Sequence, residues 1–391
     1  MSTVTRLLGA LAIAACVGNA SVIELPIIID NGYPVVEVEV GTPPAKYRLL
    51  FDTGSAASWA VDSYCAETCQ NFSGYDRVGY NVSASSTGSY TGGYAYIDYL
   101  GGQTIGPAVQ DVFAIGSAVW NQTFIAAASS SWGNIPGDGF LGMAFAVIAD
   151  GDTNTVVETL LAQDALDEPK FGIYYGTELR NTGGVPGIGA ITLGSSREEE
   201  LVEGELVTVP LQQSNGEYQV WRTDFKAVTG SRTIGDEVVE TTTNLDLAWA
   251  VFDTGGGRIT LPKSKTLPIY ESLGWNFTQL LNGERILDCS EFNSSWSVSF
   301  TLGSSADPKI ITMTGDELAV PGFANRESAC WPPFDQGDVE GFALFGTALL
   351  KHFYTIWDYG TKGTVKNSEY KPTVSFGTLK PEFRPVPRQV A

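Results

Sequence analysis

Two short segments carry most of the information about the fold: FDTGSAASW at residues 51–59 and AVFDTGGGRITLP at residues 250–262. Both contain Phe-Asp-Thr-Gly in the same frame, and the second aspartate, Asp253, lies 201 residues beyond the first, Asp52. A single Asp-Thr-Gly is an ordinary turn sequence. A further match supports the pair, because FLGMAF and LFGTAL place a glycine 90 and 93 residues beyond the respective aspartates. The matched motifs indicate a diverged internal duplication.

Most of the remaining chain is typical of a β protein. Short β-rich runs such as YPVVEVEVG and FYTIWDYG alternate with segments rich in Gly, Ser, Asn and Pro. The best helix candidate spans residues 153–166, with Asp152 or Thr153 as its cap. A chain of 391 residues can form two domains. We therefore expect a mostly β, bilobal fold with a cleft between two pseudo-symmetric lobes, at 21–197 and 198–391.

The duplication matters because each half can supply one carboxyl group to the cleft. Two carboxyl groups within hydrogen-bonding distance cannot both ionise comfortably, so they share one proton and their apparent pKa values separate. The ionised group can take a proton from a bound water, while the protonated group donates to the carbonyl under attack. This predicts Asp52 and Asp253 as catalytic residues. Neighbouring residues supply tight turns and hydroxyl groups that can lock the two loops together: Gly54, Gly255, Thr53 and Thr254.

Charge and the N-terminus indicate where the protein works. Asp and Glu number 44 against 23 Lys and Arg, and this net charge of -21 argues against nucleic acid or an anionic membrane as a partner. Acidic surroundings or simple solubility both account for it. Arg6, an apolar run over 7–17 and small residues up to Ala20 predict a secretory signal peptide over 1–20. No later run reaches the ~18 apolar residues of a membrane span, so we expect a secreted, extracellular protein.

The cysteines and glycosylation motifs fit that compartment. Cys16 leaves with the signal peptide, and the remaining four cysteines allow three disulfide connectivities. We favour Cys65–Cys69, which closes a tight loop, with Cys289–Cys330, which stays within the second half. Zinc is disfavoured, and no metal is predicted, because these spacings and a single histidine match zinc sites poorly. Glycosylation is predicted at five sequons: Asn71, Asn81, Asn121, Asn276 and Asn293.

With these motifs the chain resembles the pepsin-like aspartic proteases of secreted eukaryotic, fungal type, over nearly all of its mature part. YCAETC is similar to the small disulfide loop of that family, and DGFLGMAF and DCS at 288–290 fit further signatures. The resemblance implies hydrolysis of peptide bonds in extended polypeptides at acidic pH, by a monomer without a cofactor. It also implies a hairpin flap at YIDYLGG, in which Tyr99 and Gly101 cover the substrate and Tyr99 hydrogen-bonds Trp59. Candidate walls for apolar substrate side chains are Phe140, Trp132 and Tyr218, although such rings are more often part of a core.

Several positions depart from the family pattern. Three residues after each catalytic aspartate the family has a hydroxyl that bonds the carboxylate; Ser55 provides one, but Gly256 cannot. We therefore hypothesise that Asp253 holds the proton and acts as the acid, and that Asp52 acts as the base. Leu100 replaces a common glycine in the flap, and Thr347 replaces a common aspartate.

The distance from the signal peptide to the first motif raises an alternative. Only residues 21–51 separate the predicted cleavage site from Asp52, which leaves no room for the usual inhibitory propeptide. Either the enzyme needs no zymogen, or the chain is a non-catalytic homologue that binds peptides or proteins. The retained aspartates, threonines and Tyr99 favour an active enzyme.

Overall fold

A computed structural model describes residues 21–177, 189–362 and 366–386 of the chain. The predicted signal peptide, 1–20, lies outside these residues. In the first half the strands are β1 (Ile23–Pro26), β2 (Ile28–Asp30), β3 (Tyr33–Val40), β4 (Ala45–Asp52), β5 (Trp59–Val61), β6 (Ser89–Tyr99), β7 (Gly102–Ile115), β8 (Ala118–Ala127), β9 (Ser129–Ser130), β10 (Gly139–Gly142), β11 (Lys170–Tyr174) and β12 (Ala190–Leu193).

In the second half the strands are β13 (Val202–Pro210), β14 (Arg222–Ile234), β15 (Glu237–Phe252), β16 (Ile259–Leu261), β17 (Leu287–Asp288), β18 (Trp296–Leu302), β19 (Lys309–Thr314), β20 (Ala329–Cys330), β21 (Phe334–Gln336), β22 (Phe342–Phe345), β23 (Phe353–Asp358) and β24 (Thr373–Leu379). The helices are short: α1 (Ser63–Thr68), α2 (Val156–Ala162), α3 (Glu198–Leu201), α4 (Thr266–Ser272), α5 (Phe277–Leu281) and α6 (Thr347–Leu350). The predicted mostly β class is confirmed.

The strands form one large sheet in each half and a third sheet that joins the halves. The first half contains a nine-stranded sheet in the order β2-β3-β4-β10-β5-β8-β7-β6, with β9 on β7. The second contains a seven-stranded sheet in the order β19-β18-β14-β15-β22-β16-β21. A six-stranded sheet, β1-β12-β11-β23-β24-β13, takes three strands from each half. Strands β17 and β20 pair separately.

The same local arrangement brings each aspartate to the end of a central strand. Strand β4 ends at Asp52 and pairs in parallel with β10, while β15 ends at Phe252 and pairs in parallel with β22. The residues before the two aspartates, Phe51 and Phe252, are fully buried in one hydrophobic core. Burying such a side chain contributes about 2 kcal/mol. The duplicated motifs therefore anchor their strands in the core and leave the following loops at its edge.

The predicted helix exists but is shorter than expected. It is α2, and Thr155 caps it by accepting a hydrogen bond from the Glu158 N–H at 3.2 Å. The prediction of Asp152 or Thr153 as the cap was wrong. Residues 150–152 form a separate 3₁₀ turn in which Asp152 has a φ of 57°, so the chain does not enter the helix there. No helix in the described ranges is long and apolar enough to cross a membrane.

Both predicted disulfides are present. Cys65–Cys69 spans the short helix α1, and Cys289–Cys330 connects the segments that pair as β17 and β20. The first therefore fixes a local turn beside β5. The second closes a loop of 41 residues within the second half.

Strands β6 and β7 form the hairpin that corresponds to the predicted flap. Their register pairs Tyr99 with Gly102, so Leu100 and Gly101 form a two-residue turn at its tip. Leu100 is 87% exposed there. Along β6, Ala95 and Ile97 are buried while the intervening side chains are exposed, as the two-residue period of a strand requires. Tyr99 continues the inward-facing series.

Candidate active site

The two Asp-Thr-Gly loops are joined by their threonines. The Thr53 N–H donates to Thr254 Oγ1 at 3.0 Å, and the Thr254 N–H donates to Thr53 Oγ1 at 3.0 Å. Each hydroxyl also donates to the carbonyl before the opposite aspartate, that of Thr53 to Phe252 at 3.0 Å and that of Thr254 to Phe51 at 2.8 Å. Both threonines are buried. Four hydrogen bonds shielded from water thus fix the loops relative to each other.

Each loop turns back on its own carboxylate. Asp52 Oδ1 accepts from the Gly54 N–H at 2.8 Å, and Asp253 Oδ1 accepts from the Gly255 N–H at 2.8 Å. Hydrogen bonds from N–H groups hold each side chain in one orientation. The turns therefore position both carboxyl groups before any substrate binds.

The glycines of the two motifs also show how close the carboxyl groups are. A β-carbon on Gly54 would lie 2.6 Å from Asp253 Oδ1, and one on Gly255 would lie 2.6 Å from Asp52 Oδ1. Each glycine therefore contacts the carboxyl group of the opposite half, and any side chain would displace it. This close approach explains why both motifs have glycine here.

The surroundings of Asp253 favour its protonated form. Burial raises the pKa of Asp253 well above its ordinary value, and the Asp52 charge and a side-chain hydrogen bond with Asp52 raise it further. The N–H groups of Gly255 and Gly256 partly offset this increase. The pair therefore keeps one proton to a higher pH than an isolated aspartate would.

Asp52 has a hydroxyl donor that Asp253 lacks at the matching position. Ser55 Oγ donates to Asp52 Oδ2 at 2.5 Å. At the matching position on the other side, Gly256 offers only its N–H, 3.2 Å from Asp253 Oδ1. A carboxylate gains from each donor that bonds its ionised form. The loop around Asp52 is thus better suited to a negative charge than the loop around Asp253.

Tyr99 on the flap packs into an aromatic cluster with three other predicted residues. Its ring centroid is 5.6 Å from that of Trp132 and 5.4 Å from that of Phe140, and Trp59 stacks on Phe140 at 4.9 Å. Trp59 and Phe140 are only 2% and 3% exposed. Trp132 and Tyr99 cover them, and these two rings are the members of the cluster that a bound peptide could touch in this conformation. Gly101 lies over Trp132, where a β-carbon would come within 2.7 Å of the indole.

The Trp59 indole N–H and the Tyr99 hydroxyl lie side by side, as the expected hydrogen bond between them requires. Both groups are buried, but their geometry falls short of a well-formed hydrogen bond in this conformation. Burial and the Asp52 charge raise the pKa of Tyr99, and the nearby Trp59 and Ser55 lower it in part. The hydroxyl is therefore close to Asp52.

Tyr218 lies elsewhere, against the core between the halves. Its ring is 5.9 Å from Phe145, and its N–H donates to Asn367 at 2.7 Å. The structure does not bring it into the cluster around Tyr99.

Near Tyr218, the structure contains a buried glutamate, Glu158, that the sequence analysis did not single out. Glu158 on α2 is only 4% exposed and accepts a hydrogen bond from the Tyr370 hydroxyl of the second half at 3.0 Å. Burial raises its pKa. The available signal was one charged residue inside the apolar run VVETLL. That residue links α2 to the second half.

The five sequon asparagines are all exposed. Two of them use the side-chain nitrogen to bond the backbone: Asn71 donates to the Tyr75 carbonyl at 2.7 Å and Asn293 to the Ser290 carbonyl at 2.9 Å. Attachment of a glycan at either replaces one of the two side-chain N–H groups and leaves the other to donate this bond.

Comparison with known proteins agrees with this geometry. The fold and the paired loops define the class of aspartic endopeptidases, which are hydrolytic enzymes. The family model for eukaryotic aspartyl proteases matches residues 33–366, and the chain belongs to this family. The pepsin-like fold is thereby confirmed.

Named relatives include fungal and mammalian proteases. A probable vacuolar protease A of Trichophyton verrucosum is 29% identical over 363 residues, covering 88% of this chain and 82% of the relative. Rhizopuspepsin-3 of Rhizopus niveus is 27% identical, covering 82% and 75%. Gastricsin of Rattus norvegicus is 25% identical, covering 88% and 82%.

Proposed function

We propose that this enzyme hydrolyses peptide bonds in extended polypeptides at acidic pH, with a water activated between Asp52 and Asp253. The observation that carries the proposal is the contact of each motif glycine with the opposite carboxyl group, together with the raised pKa of Asp253. Such a pair needs one proton and one negative charge to work, and acidic conditions supply that state.

In the proposed mechanism Asp52 is the base and Asp253 the acid. Asp52 accepts a proton from the water as its oxygen attacks the substrate carbonyl carbon. Asp253 donates its proton to the carbonyl oxygen, which gives a neutral tetrahedral intermediate. As the C–N bond breaks, Asp52 passes the proton it took from the water to the leaving nitrogen, and Asp253 takes back a proton from a hydroxyl of the intermediate, which becomes the carboxylic acid product. Ser55 and the Gly54 N–H support the ionised form of Asp52, whereas Asp253 has no hydroxyl donor at position 256.

The flap completes the proposed site. Its inward-facing Tyr99 lies close to Asp52, and its tip carries the exposed Leu100. A hairpin in this position can close over a peptide and exclude water from the reacting bond. Tyr99 and Trp132 would then contact the side chains next to that bond.

The cellular context is also part of the proposal. We propose lobes at 21–197 and 198–391, a signal peptide at 1–20, secretion as a monomer, glycans on exposed sequons and no cofactor. Four similar fungal proteins carry the word vacuolar in their names, so the vacuole is the other destination to test. Fractionation of culture medium and vacuoles, with and without glycosidase treatment, would locate the protein and report its glycans.

The experiment that tests the activity compares three purified proteins on a denatured protein substrate between pH 2 and 7. Wild type should cleave at acidic pH, and Asp253→Asn should lose at least 1,000-fold in rate because Asn cannot hold the shared proton. Asp236→Asn, an exposed position in the β14–β15 turn, is the matched control and should retain full activity. A folded wild type that binds peptides but never cleaves them would instead support a binding homologue.

A further inference from the structure

Glu158 is a buried acid that the proposed mechanism does not use. It lies on α2 of the first half, and three donors satisfy its carboxyl group. Oε2 accepts hydrogen bonds from the Ala146 N–H and from the Thr155 hydroxyl, the latter at 3.3 Å, and Oε1 accepts from the Tyr370 hydroxyl at 3.0 Å. An acid buried in an apolar run costs free energy that such bonds must offset. The fold therefore tolerates Glu158 only with these partners in place.

The bond to Tyr370 reaches the second half of the protein. Tyr370 is buried, and its ring packs on that of Tyr359 with 5.1 Å between the centroids. Three residues earlier, the side chain of Asn367 holds the backbone of Tyr218 with two hydrogen bonds, of 2.7 and 2.6 Å. The segment that carries Tyr370 is thus well anchored. Glu158 is therefore bonded to a fixed part of the second half.

The bond to Ala146 reaches the loop at 146–152. This loop begins at Ala146, whose N–H donates to Glu158, and continues through two 3₁₀ turns. Just beyond its end, the Asn154 N–H donates to the Thr123 hydroxyl of β8 at 3.0 Å. The loop thus has an anchor at each end, and only the anchor at its start depends on Glu158.

The flap rests on this loop. Gly93 of β6 approaches it so closely that a β-carbon on Gly93 would lie 2.1 Å from the Gly151 carbonyl oxygen. Gly151 has a left-handed φ of 66°, and a β-carbon on it would lie 3.4 Å from that of Ala95 and 3.5 Å from that of Ala108, which are buried side chains of the two flap strands. Backbone packs against backbone here, with no room for a side chain on Gly93. A shift of the loop must therefore move the flap or open a gap beneath it.

We propose that Glu158 is a positioning residue for the flap, because it bonds the loop beneath the flap to the second half of the protein. The inference rests on the proposed function, in which the flap closes over a peptide. Glu158 touches neither the peptide nor the reacting atoms, and it acts through Ala146 and Gly151. Its own N–H donates to the Thr155 hydroxyl oxygen at 3.2 Å and caps α2. Removal of the carboxyl group leaves that cap in place and frees the start of the loop.

Amide hydrogen exchange of the full chain, followed by mass spectrometry, tests the proposal. In Glu158→Ala the amides of 94–99 on β6 should exchange at least about ten-fold faster than in wild type, and those of 296–302 on β18 should not change. Glu158→Gln should match wild type, because its amide offers an oxygen to the Ala146 N–H and an N–H to the Tyr370 hydroxyl. For Glu158→Ala, kcat/KM should fall by about five- to ten-fold, mostly through KM.

A matched pair of tyrosine variants keeps the proposal testable if Glu158→Ala does not fold. Tyr370→Phe removes the bond to Glu158, and Tyr174→Phe removes a bond of the same length, 3.0 Å, from another buried tyrosine to the Phe383 carbonyl. Only Tyr370→Phe should speed exchange in the flap. Equal flap exchange in the two variants refutes the proposal, as does faster exchange throughout both halves for Glu158→Ala, or a Glu158→Gln that behaves like Glu158→Ala.

A variant on the flap side tests the contact itself. Gly93→Ala forces β6 away from Gly151 and should also speed exchange over 94–99. Because both changes break the same support, Gly93→Ala combined with Glu158→Ala should exchange no more than about two-fold faster than the faster single variant. Two effects that multiply would show that the residues act independently, and the inference would be overturned.

Exchange needs no catalysis, so it separates failure of this inference from failure of the proposed function. If wild type cleaves nothing but flap exchange responds to Glu158→Ala and Tyr370→Phe as expected, the positioning role stands and the protease proposal fails. If wild type cleaves but flap exchange does not respond, the positioning role fails and the protease proposal stands.

Discussion

Restoring a hydroxyl beside Asp253 tests the assignment of acid and base. Gly256→Ser would place its β-carbon 3.3 Å from Asp253 Oδ2, so its hydroxyl could donate to the carboxylate. The new β-carbon would also meet Leu344 Cδ2 at 2.6 Å, a flexible methyl that must move aside. We would therefore make the change both alone and with Leu344→Val, and use Leu344→Val by itself as the control.

The magnitude follows from the strength of such a bond. A hydrogen bond to a charged group contributes about 1.5–3 kcal/mol, and 1.36 kcal/mol corresponds to one pH unit. Because Asp253 keeps some contact with solvent in the cleft, the lower end applies, about one pH unit. The bond stabilises the ionised form, so Asp253 loses its proton at a lower pH.

The assay is kcat/KM against pH for a fluorogenic peptide between pH 2 and 8. Activity needs a protonated acid and is lost as the pH rises through the pKa of that group, so the alkaline limb should move down by about one unit. The acid limb should stay in place. An unchanged alkaline limb, or movement of the acid limb instead, would refute the assignment of Asp253 as the acid.

Two further predictions concern stability. Thr53→Val keeps the shape but removes one bond to the Phe252 carbonyl and one from the Thr254 N–H, so the free energy of unfolding should fall by about 2–4 kcal/mol in a urea titration. A loss below 0.5 kcal/mol would show that the paired threonines do not hold the loops together. Glu158 has a raised pKa when folded, so its protonated form is favoured in the native state. Its contribution to stability is therefore complete below its unfolded pKa and is lost as the pH rises through the folded pKa. Thermal melts from pH 4 to 7.5 should show a smaller decline for Glu158→Gln than for wild type, whereas the exposed control Glu217→Gln should decline as wild type does.

Features encoded in a few neighbouring residues could be predicted well. The repeated Asp-Thr-Gly indicated the duplication, and the resemblance of YIDYLGG to the family's flap indicated the hairpin. The disulfide pairing also followed from spacing, because Cys65 and Cys69 are too close in sequence to need any tertiary information. Each of these predictions uses a signal that lies within a short segment of the chain.

Predictions of features that depend on packing between distant segments were either missing or wrong. The cap of α2 moved to Thr155 because a separate turn precedes the helix. The ring of Tyr99 packs against Trp132 and Phe140, which lie more than 30 residues away in sequence. The hydrogen bond from Tyr370 to Glu158 joins residues 212 positions apart, and no local sequence pattern predicts it.

The repeated motifs were enough to show two related halves, each with an Asp-Thr-Gly, and to show which side chains are available beside each aspartate. The meeting of these two carboxyl groups, 201 residues apart, and the burial that raises the pKa of Asp253 well above its ordinary value are visible only in the folded protein. The physical reason is that proton sharing depends on distances and burial at the scale of a single hydrogen bond. Those quantities are set by how the two large sheets and the joining sheet pack, not by any order of neighbouring residues.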